Sequence, residues 1–393
     1  MRKGASIYIC DVKSFYSSDF KLGILGGGQL GRMLIQEAIN LNVHVSVLDP
    51  DTQAPCADIC HEFVRGSFND FDTVVAFGRK VDCLTVEIEH VNVEALSLLE
   101  SEGVRVYPKP DFLRTIQDKG LQKEFYRSHT IPTAPFRLAD DVRSLPLSDF
   151  NFPFVLKSRT GGYDGKGVQI IHSADQIATA LEGPCVIEEM IQFQKELAII
   201  IARNAKGETS TFPLVEMEFN AEANLVEFLF SPAAVSENVA TQAAAIATQI
   251  AEASDFVGLL AVELFLTAGG DLLVNEIAPR PHNSGHHTIE CCDTSQYAQH
   301  LRAILGLPLG STRLIQPAVM INLLGANGFS GPAVYDGLEE VLSWPGVHVH
   351  LYGKSTTKPF RKMGHITVTS AELNDAQQLA RRAIQQVSVI SAQ

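Results

Sequence analysis

Apolar residues recur along the chain with two different periods, and the switches between them mark out the expected elements. Lys21-Leu-Gly-Ile-Leu25 is a short apolar run, Arg32 to Asn40 carries Met33, Leu34 and Ala38 at helical spacing, and His44-Val-Ser-Val-Leu48 is again strand-like. The tight turn Gly26-Gly-Gly-Gln-Leu-Gly31 joins the first two, so the pieces predict a βαβ unit. Cys83 to His90 reads as a third parallel strand and Val104-Arg-Val106 as a fourth, which puts Glu87 and Glu89 at the carboxyl end, where open α/β sheets bind ligands. Pro108 and Pro110 break the pattern and mark a domain boundary near residue 110. Gln117 to Lys123 then opens a helix, and Ile131 to Phe136 is an extended link.

Beyond the link the pattern is antiparallel. Phe154-Val-Leu-Lys-Ser158 and Val168-Gln-Ile-Ile171 flank a glycine-rich loop, followed by a helix over Ala174 to Leu181 and strands at Cys185 to Glu189 and Leu197 to Ile201, with a turn at Asn204 to Gly207. An Ala-rich helix is expected from Glu237 to about Phe256, then strands at Leu259 to Leu266 and Asp271 to Ile277 joined by Ala268-Gly-Gly-Asp271. Strands around Ala318 to Leu324, His348 to Leu351 and His365 to Thr369 precede a closing helix from Glu372 to about Val387. The expected division is an extension at 1–20, a Rossmann-like α/β domain at 21–114, a small flap domain at 115–205, and an α+β domain at 206–393.

Composition narrows the partners. A length of 393 residues requires more than one core, and 46% hydrophobic with 19% charged residues is ordinary for a globular protein. The net charge of -14 opposes non-specific binding to nucleic acid or anionic membrane, so an anionic substrate needs a local basic cluster. Neither nucleic acid nor a membrane is an expected partner, since no run of apolar residues reaches the ~20 of a membrane span. Seven cysteines, an odd number spread along the chain, point to a reducing, cytoplasmic setting. Cys56-x-x-x-Cys60-His61 has no second pair at zinc spacing and reads as structural.

Four stretches carry chemistry. Arg159-Thr-Gly-Gly-Tyr-Asp-Gly-Lys-Gly167 can fold backbone N–H groups over a polyphosphate, with Lys157 and Lys166 supplying positive charge. Glu263 and Glu276 interrupt otherwise apolar strands, which calls for a metal ion or an ion-pair partner such as Arg280; a hairpin puts both on one face, where Mg²⁺ bound with nucleotide phosphates would suit them. Lys354, Lys358, Arg361 and Lys362 cluster in one loop and read as an anion site. Gly26, Gly28 and Gly31 with Asp49 match the dinucleotide fingerprint, which keeps a nicotinamide-dependent oxidoreductase open.

Taken in order, these pieces resemble the ATP-grasp superfamily and, within it, the N5-carboxyaminoimidazole ribonucleotide synthetase family of purine biosynthesis. The resemblance rests on Gly26 to Arg32, Arg159 to Gly167, Asn275-Glu-Ile-Ala-Pro-Arg-Pro-His-Asn-Ser-Gly-His286 and Arg361-Lys-Met-Gly-His365. It implies an ATP-grasp fold with a pre-ATP-grasp domain first, and a ligase that uses ATP, Mg²⁺, bicarbonate and aminoimidazole ribonucleotide, as a homodimer. By that resemblance Lys119, Lys157, Gly162, Tyr163, Asp164, Gly165, Lys166 and Gly167 hold the phosphates, Glu188, Glu189, Met190 and Ile191 line the adenine, and Glu196 takes the ribose. Asn275 joins the nucleotide site, while Glu263 and Glu276 hold Mg²⁺. Gln29, Leu30, Glu87, Arg280, Asn283, Ser284, Lys354, Arg361 and Lys362 fall to the ribonucleotide and bicarbonate side, with Lys157, Tyr163, Arg280 and Asn283 acting in catalysis.

The chain departs from the family pattern in two places, the extension Met1 to Phe20, which has no counterpart in it, and one loop. Where the family often has Arg-Pro-Gly-Arg-Lys, this chain has Lys358-Pro-Phe-Arg-Lys362, with one extra residue after Lys354. A formate-using ribonucleotide transformylase of the same superfamily and a nucleotide sensor without turnover are further alternatives. Tyr163-Asp164 favours the carboxylating enzyme over the first, and retention of both Glu263 and Glu276 argues against the second.

Overall fold

The first sheet is parallel, with strands in the order Glu62–Arg65, His44–Asp49, Lys21–Leu25, Cys83–Val86 and Arg105–Tyr107. The computed structural model of the chain describes residues 13–15, 17–162, 167–220 and 225–392. Leu22, Ile24, Val45 and Val47 pack under the helix Gln29–Asn40, while Leu25, Leu48, Leu84 and Val86 face the helices Phe71–Gly78 and Val93–Ser101. Burial on both sides explains why these strands read as continuous apolar runs.

Three details differ from the sequence pattern. The strand Glu62–Arg65 was not anticipated, because it is short, edge-placed and only partly buried. Cys83–Val86 ends four residues before His90, so Glu87 and Glu89 lie in the loop beyond the strand. Pro110 starts the helix Pro110–Gln117, occupying the first turn where a missing N–H is harmless, and a second helix, Lys119–Ser128, follows at once.

The second sheet is antiparallel, in the order Phe136–Ala139, Cys185–Glu189, Phe154–Ser158 and Val168–Ile171. The expected helix after it is a 3-10 turn, Ala174–Thr179. Phe193–Arg203 pairs along its length with Gly258–Thr267, so this strand lies in the large sheet although residue 205 was the expected division.

That large sheet orders Leu272–Ala278, Gly258–Thr267, Phe193–Arg203, Val215–Asn220, Leu225–Ser231, Ala318–Leu324, Lys362–Thr369 and Val347–Leu351. The unanticipated strands Val215–Asn220 and Leu225–Ser231 fuse the carboxyl-terminal segment to the rest. Ala243, Ala247 and Ala251 of the helix Glu237–Ala253 sit in the core with Leu197, Ile199 and Val262, small side chains allowing the helix close to the sheet. The helix Leu373–Gln386 does not close the fold, since Ser388–Ser391 follows and pairs with Gly331–Asp336.

The altered basic loop has a definite shape. Arg361 N–H donates to Lys358 O across a tight turn at 3.0 Å, Phe360 N–H donates to Gly325 O at 2.8 Å, and Gly325 N–H donates to Arg361 O at 2.9 Å. Phe360 has φ +61°, at the turn position where glycine is normally found after proline. The phenylalanine therefore holds a left-handed conformation that disfavours a side chain. Phe360→Gly is expected to raise the unfolding free energy by ~1 kcal/mol, since the relief of ~1–2 kcal/mol outweighs the entropy of an added glycine. Urea denaturation checks this, and a lower midpoint at unchanged slope would show that the phenyl packing outweighs the strain.

Candidate active site

Three glutamates share one face of the large sheet. Glu263 pairs directly opposite Glu276, and Ala198 lies opposite Glu263, so Glu196, two residues along the same strand, points to the same side. The ladder slips after Glu263, leaving Asn275 as an extra residue between Val274 and Glu276. This bulge makes Asn275 reach Lys157 while the adjacent Glu276 stays on the acid face. The opposite face, with Val262, Leu264, Val274 and Ile277, is core. Glu263 is 16% exposed and Glu276 46%, so Glu276 is the carboxylate nearer open space.

The electrostatics follow from that crowding. Burial, then Glu276 and Glu196, push the Glu263 carboxyl up, whereas Lys119 holds Glu276 down. Glu196 is raised by burial to about 7. Lys119 Nζ lies 3.0 Å from Glu276 Oε2, and its own proton is held more tightly, chiefly by Glu276. Lys157 Nζ donates to Asn275 Oδ1 at 3.0 Å and lies 3.0 Å from Glu188 Oε2.

Glu188 is not an open lining residue. It is 4% exposed and sits between Lys157 and Lys123, whose Nζ is 3.0 Å from Oε1. Burial alone would raise Glu188, but Lys157 and Lys123 outweigh it and hold the carboxylate ionised. Lys123 is lowered by burial to about 8 and donates to Thr133 Oγ1 at 2.6 Å. Glu189 is exposed, and Met190 and Ile191 are half-buried in the crossing from the small sheet to the large one.

A second charged cluster lies beyond the acid face. Arg280 forks onto Glu89, with Nε to Oε2 at 2.5 Å and Nη2 to Oε1 at 3.2 Å. Burial would raise Glu89, but this pair outweighs it and brings the carboxyl down to about 2. Glu87, two residues away, is raised by burial to about 7 although Arg280 and Lys354 draw it down. Lys362 acts on both Glu263 and His282, which joins the basic loop to the acid face. Lys354 Nζ donates to Lys362 O at 2.6 Å, and Arg361 Nη1 donates to Thr356 O at 2.6 Å, within their own loop.

Asn322 was not singled out from the sequence, and His282 was read only as part of the motif ending at His286. Burial lowers His282 to about 3, so the ring is neutral; Ser284 N–H donates to Nδ1 at 3.3 Å, leaving Nε2 toward Glu263 at 3.7 Å. Ser284 itself is buried against that ring, with its hydroxyl 2.9 Å from Nδ1. Asn283 and Asn322 exchange amide hydrogen bonds of 2.8 and 3.0 Å, which fixes the orientation of Asn283.

The glycine turn holds carboxylates. Gly27 N–H donates to Asp49 Oδ2 at 2.6 Å, and Leu30 N–H donates to Glu87 Oε1 at 3.1 Å. A Cβ at Gly28 would lie 2.4 Å from Glu87 Oε1, so the missing side chains make room for an acid. The dinucleotide reading fails here, since Asp49 and the helix N-terminus are already engaged within the protein. The Leu30 side chain is core, leaving its neighbour Gln29 half-buried at the turn. Cys56 Sγ contacts Gly28 O and His61 Nδ1 accepts from Val45 N–H, so that pair is structural. Gly162 is half-buried and Gly167 has φ +74°, while Tyr163, Asp164, Gly165 and Lys166 lie outside the described residues.

Comparison with known proteins fits this arrangement. The chain matches the ribonucleotide synthetase preATP-grasp domain at residues 20–117, the ATP-grasp domain at 124–297 and the phosphoribosylaminoimidazole carboxylase C-terminal domain at 318–379. It is similar to the crystal structure of N5-carboxyaminoimidazole ribonucleotide synthetase from Thermotoga maritima, with 43% identity, 95% of this chain and 100% of that one covered, and a TM-score of 0.88. A structure of the synthase from Aspergillus clavatus with ADP and 5-aminoimidazole ribonucleotide aligns at 36% identity, covering 94% of this chain and 98% of that one, with a TM-score of 0.85. The phosphoribosylaminoimidazole carboxylase of Ogataea methanolica is 39% identical over 91% of this chain. The chain spans about two thirds of the length of such yeast and plant carboxylases, 67% and 64% in two cases.

The buried Lys123–Glu188 pair gives a test independent of activity. Lys123→Met is expected to destabilise the protein by ~3 kcal/mol, because it leaves a buried carboxylate with one partner fewer. Adding Glu188→Gln should recover at least ~1 kcal/mol relative to the sum of the single changes. Four urea denaturation curves measure this coupling, and strict additivity would show that the two groups do not sense each other.

Proposed function

The chain belongs to the N5-carboxyaminoimidazole ribonucleotide synthetase family of ATP-grasp enzymes, and from that premise we propose that it couples ATP cleavage to carboxylation of 5-aminoimidazole ribonucleotide. One observation carries the reading most directly. The bulged ladder puts Asn275 and Glu276 beside Glu263 on one face, with Lys119 and Lys157 reaching it from one side and Arg280, Lys354 and Lys362 gathered on the other. A polyphosphate therefore has lysines and carboxylates at one end of the site, and an anionic ribonucleotide has a basic cluster at the other.

In this reading bicarbonate oxygen attacks the γ-phosphorus, ADP leaves, and carboxyphosphate forms. The amine nitrogen then bonds to the carboxyl carbon, directly or after release of CO₂, while phosphate departs and the amine loses a proton. Lys119 and Lys157 offset charge on the transferring phosphoryl group, Arg280 orients the bicarbonate side, and Asn283 is held ready by Asn322. In the same reading Glu196 takes the ribose, and Glu189, Met190 and Ile191 line the adenine. Tyr163 to Lys166 and Gly167 cover the phosphates, where exclusion of water protects the labile carboxyphosphate. Gln29, Glu87, Lys354, Arg361 and Lys362 receive the ribonucleotide.

The acid pair fits a magnesium ion. Burial and like charge raise Glu263, a condition that a hard divalent cation relieves. Among the described residues no group of three or more acidic, histidine or cysteine side chains is arranged to hold a metal ion, and in this reading phosphate oxygens would join Glu263 and Glu276 around it. When bound, the ion would neutralise charge on the phosphates. The reading includes a cytoplasmic setting, with which the six free thiols among the described residues agree, and a homodimer, which rests on the family. Among those residues no helix is long and apolar enough to cross a membrane.

The deciding assay is ADP formation with Mg²⁺ and bicarbonate, which should rise strongly on adding aminoimidazole ribonucleotide. Equal stimulation by formate with glycinamide ribonucleotide would overturn the assignment. Glu263→Gln should leave the melting temperature unchanged or higher, because it removes a repelled carboxylate without altering shape, yet lower turnover by ~10³ through loss of ~4 kcal/mol of transition-state stabilisation. The Mg²⁺-dependent part of the thermal shift caused by ATP should disappear with it. Near-normal turnover together with an intact Mg²⁺ effect would leave Glu263 without a role at the metal.

A further inference from the structure

The helix Lys119–Ser128 presents two lysines to two different carboxylates, Lys119 to Glu276 and Lys123 to Glu188. Its N-terminal end is fixed by an unusual set of contacts. Asp118 caps the helix, its Oδ1 accepting from Gly120 N–H at 2.7 Å and Leu121 N–H at 3.2 Å. The same carboxylate takes a two-pronged bond from Arg159, Nε to Oδ1 at 2.8 Å and Nη2 to Oδ2 at 2.6 Å. Lys119 N–H donates to Arg159 O at 2.8 Å, so backbone and side chain of one arginine hold the turn that carries Lys119. Arg159 stands directly after the strand Phe154–Ser158, which holds Lys157 and leads into the glycine-rich loop.

A second observation shows that the sequence makes room for this contact. A Cβ on Gly120 would lie 2.5 Å from Arg159 Nε and 2.9 Å from its Cζ. Glycine in a helix gives up about 1 kcal/mol relative to alanine, so its place here goes with the guanidinium lying across the first turn. The pair also borders an open cleft of about 450 Å³ lined by Asp118, Ser158, Arg159, Thr160, Glu182 and Pro184. With side chains 27% and 21% exposed, Arg159 and Asp118 are too wet to form a major source of stability. What the fork supplies is direction, because two parallel bonds fix an angle as one cannot.

We propose that Arg159 is a positioning residue for phosphoryl transfer: it locks the base of the glycine-rich loop to the capped end of the helix Lys119–Ser128, and so sets Lys119 and Lys157 at a fixed separation across the nucleotide phosphates. This rests on the ATP-dependent reading given above. The arginine touches neither substrate nor the reacting atoms in this role. It acts through Asp118 and the backbone of Lys119.

The test compares Arg159→Ala, Arg159→Lys, Asp118→Asn and Gly120→Ala with the double variant Arg159→Ala/Gly120→Ala. Asparagine preserves the helix cap while weakening the fork, and alanine at 120 displaces the guanidinium while favouring the helix. Each single variant should lower kcat/KM for ATP by ~10–100-fold, as misplacement of a charge by about an ångström does. KM for aminoimidazole ribonucleotide should stay within about twofold, melting temperatures should hardly move, and the double variant should be no worse than the poorer single one. Multiplying effects, full activity in Arg159→Lys, or equal losses toward both substrates would overturn the proposal. Calorimetric titration with ATP and Mg²⁺ separates this from the function itself: a wild type that binds ATP without ribonucleotide-stimulated turnover refutes the carboxylation reading, while ATP affinity equal to wild type across all four single variants refutes the clamp.

Discussion

Glu263 is repelled by Glu276 and Glu196, which stand on the strands to either side of its own, and the rest of the site is arranged around that repulsion. A carboxylate beside another in a poorly solvated place either takes up a proton or acquires a cation. Here Glu276 has the lysine and stays ionised, whereas Glu263 and Glu196 are pushed upward. The unequal treatment of two residues directly opposite each other leaves a site of partial negative charge on that face of the sheet. Lys119 comes from a helix outside the large sheet, so its ion pair with Glu276 exists only while that helix is docked.

Topology supplies the cations from both directions. Lys157 arrives on the small sheet and meets the large one through Asn275, a residue turned toward it by a single slip of register. Had Asn275 paired regularly, it and Glu276 would have pointed to opposite faces, and one of the two contacts would be missing. On the other side the strands Ala318–Leu324 and Lys362–Thr369 continue the same sheet, so the basic loop ending at Lys362 is referenced to the same framework as the acids. One continuous ladder thus fixes both ends of the site.

The acids were legible in the sequence because charge in an apolar strand has a local meaning. Glu263 among Leu, Val and Phe, and Glu276 beside Ile and Val, announce a partner without saying which. Lys157 was legible beside the glycine-rich loop and Lys119 through the resemblance, but Lys123 was not: a lysine one turn along a polar helix looks solvated, and its partner Glu188 is distant in sequence. Asn322 was hidden for the same reason, as an amide within an apolar strand whose role depends on Asn283 from another element. Pro110 was read as a breaker because proline both ends and begins helices, and only the residues after it decide. The bulge at Asn275 depends on register, which no single strand encodes.

The glycine turn shows how a strong local pattern can be read correctly in geometry and wrongly in chemistry. Gly26, Gly28 and Gly31 do form a close turn at a helix N-terminus, with Gly26 at φ +97°. Such a turn attracts negative charge of any kind, and in this chain the charge comes from Glu87 and Asp49. Glu87 and Glu89 then diverge because of one arginine: Arg280 forks onto Glu89 and brings it to about 2, while Glu87, deeper under the turn, is left at about 7. The first domain therefore contributes one carboxylate that Arg280 holds down and that fixes Arg280 in return, and one that burial raises while Lys354 draws it down. Because Arg280 follows the acid-bearing strand Leu272–Ala278 by two residues, anchoring it to Glu89 also ties the parallel sheet to the acid face. That tie makes the glycine turn part of the site without any dinucleotide.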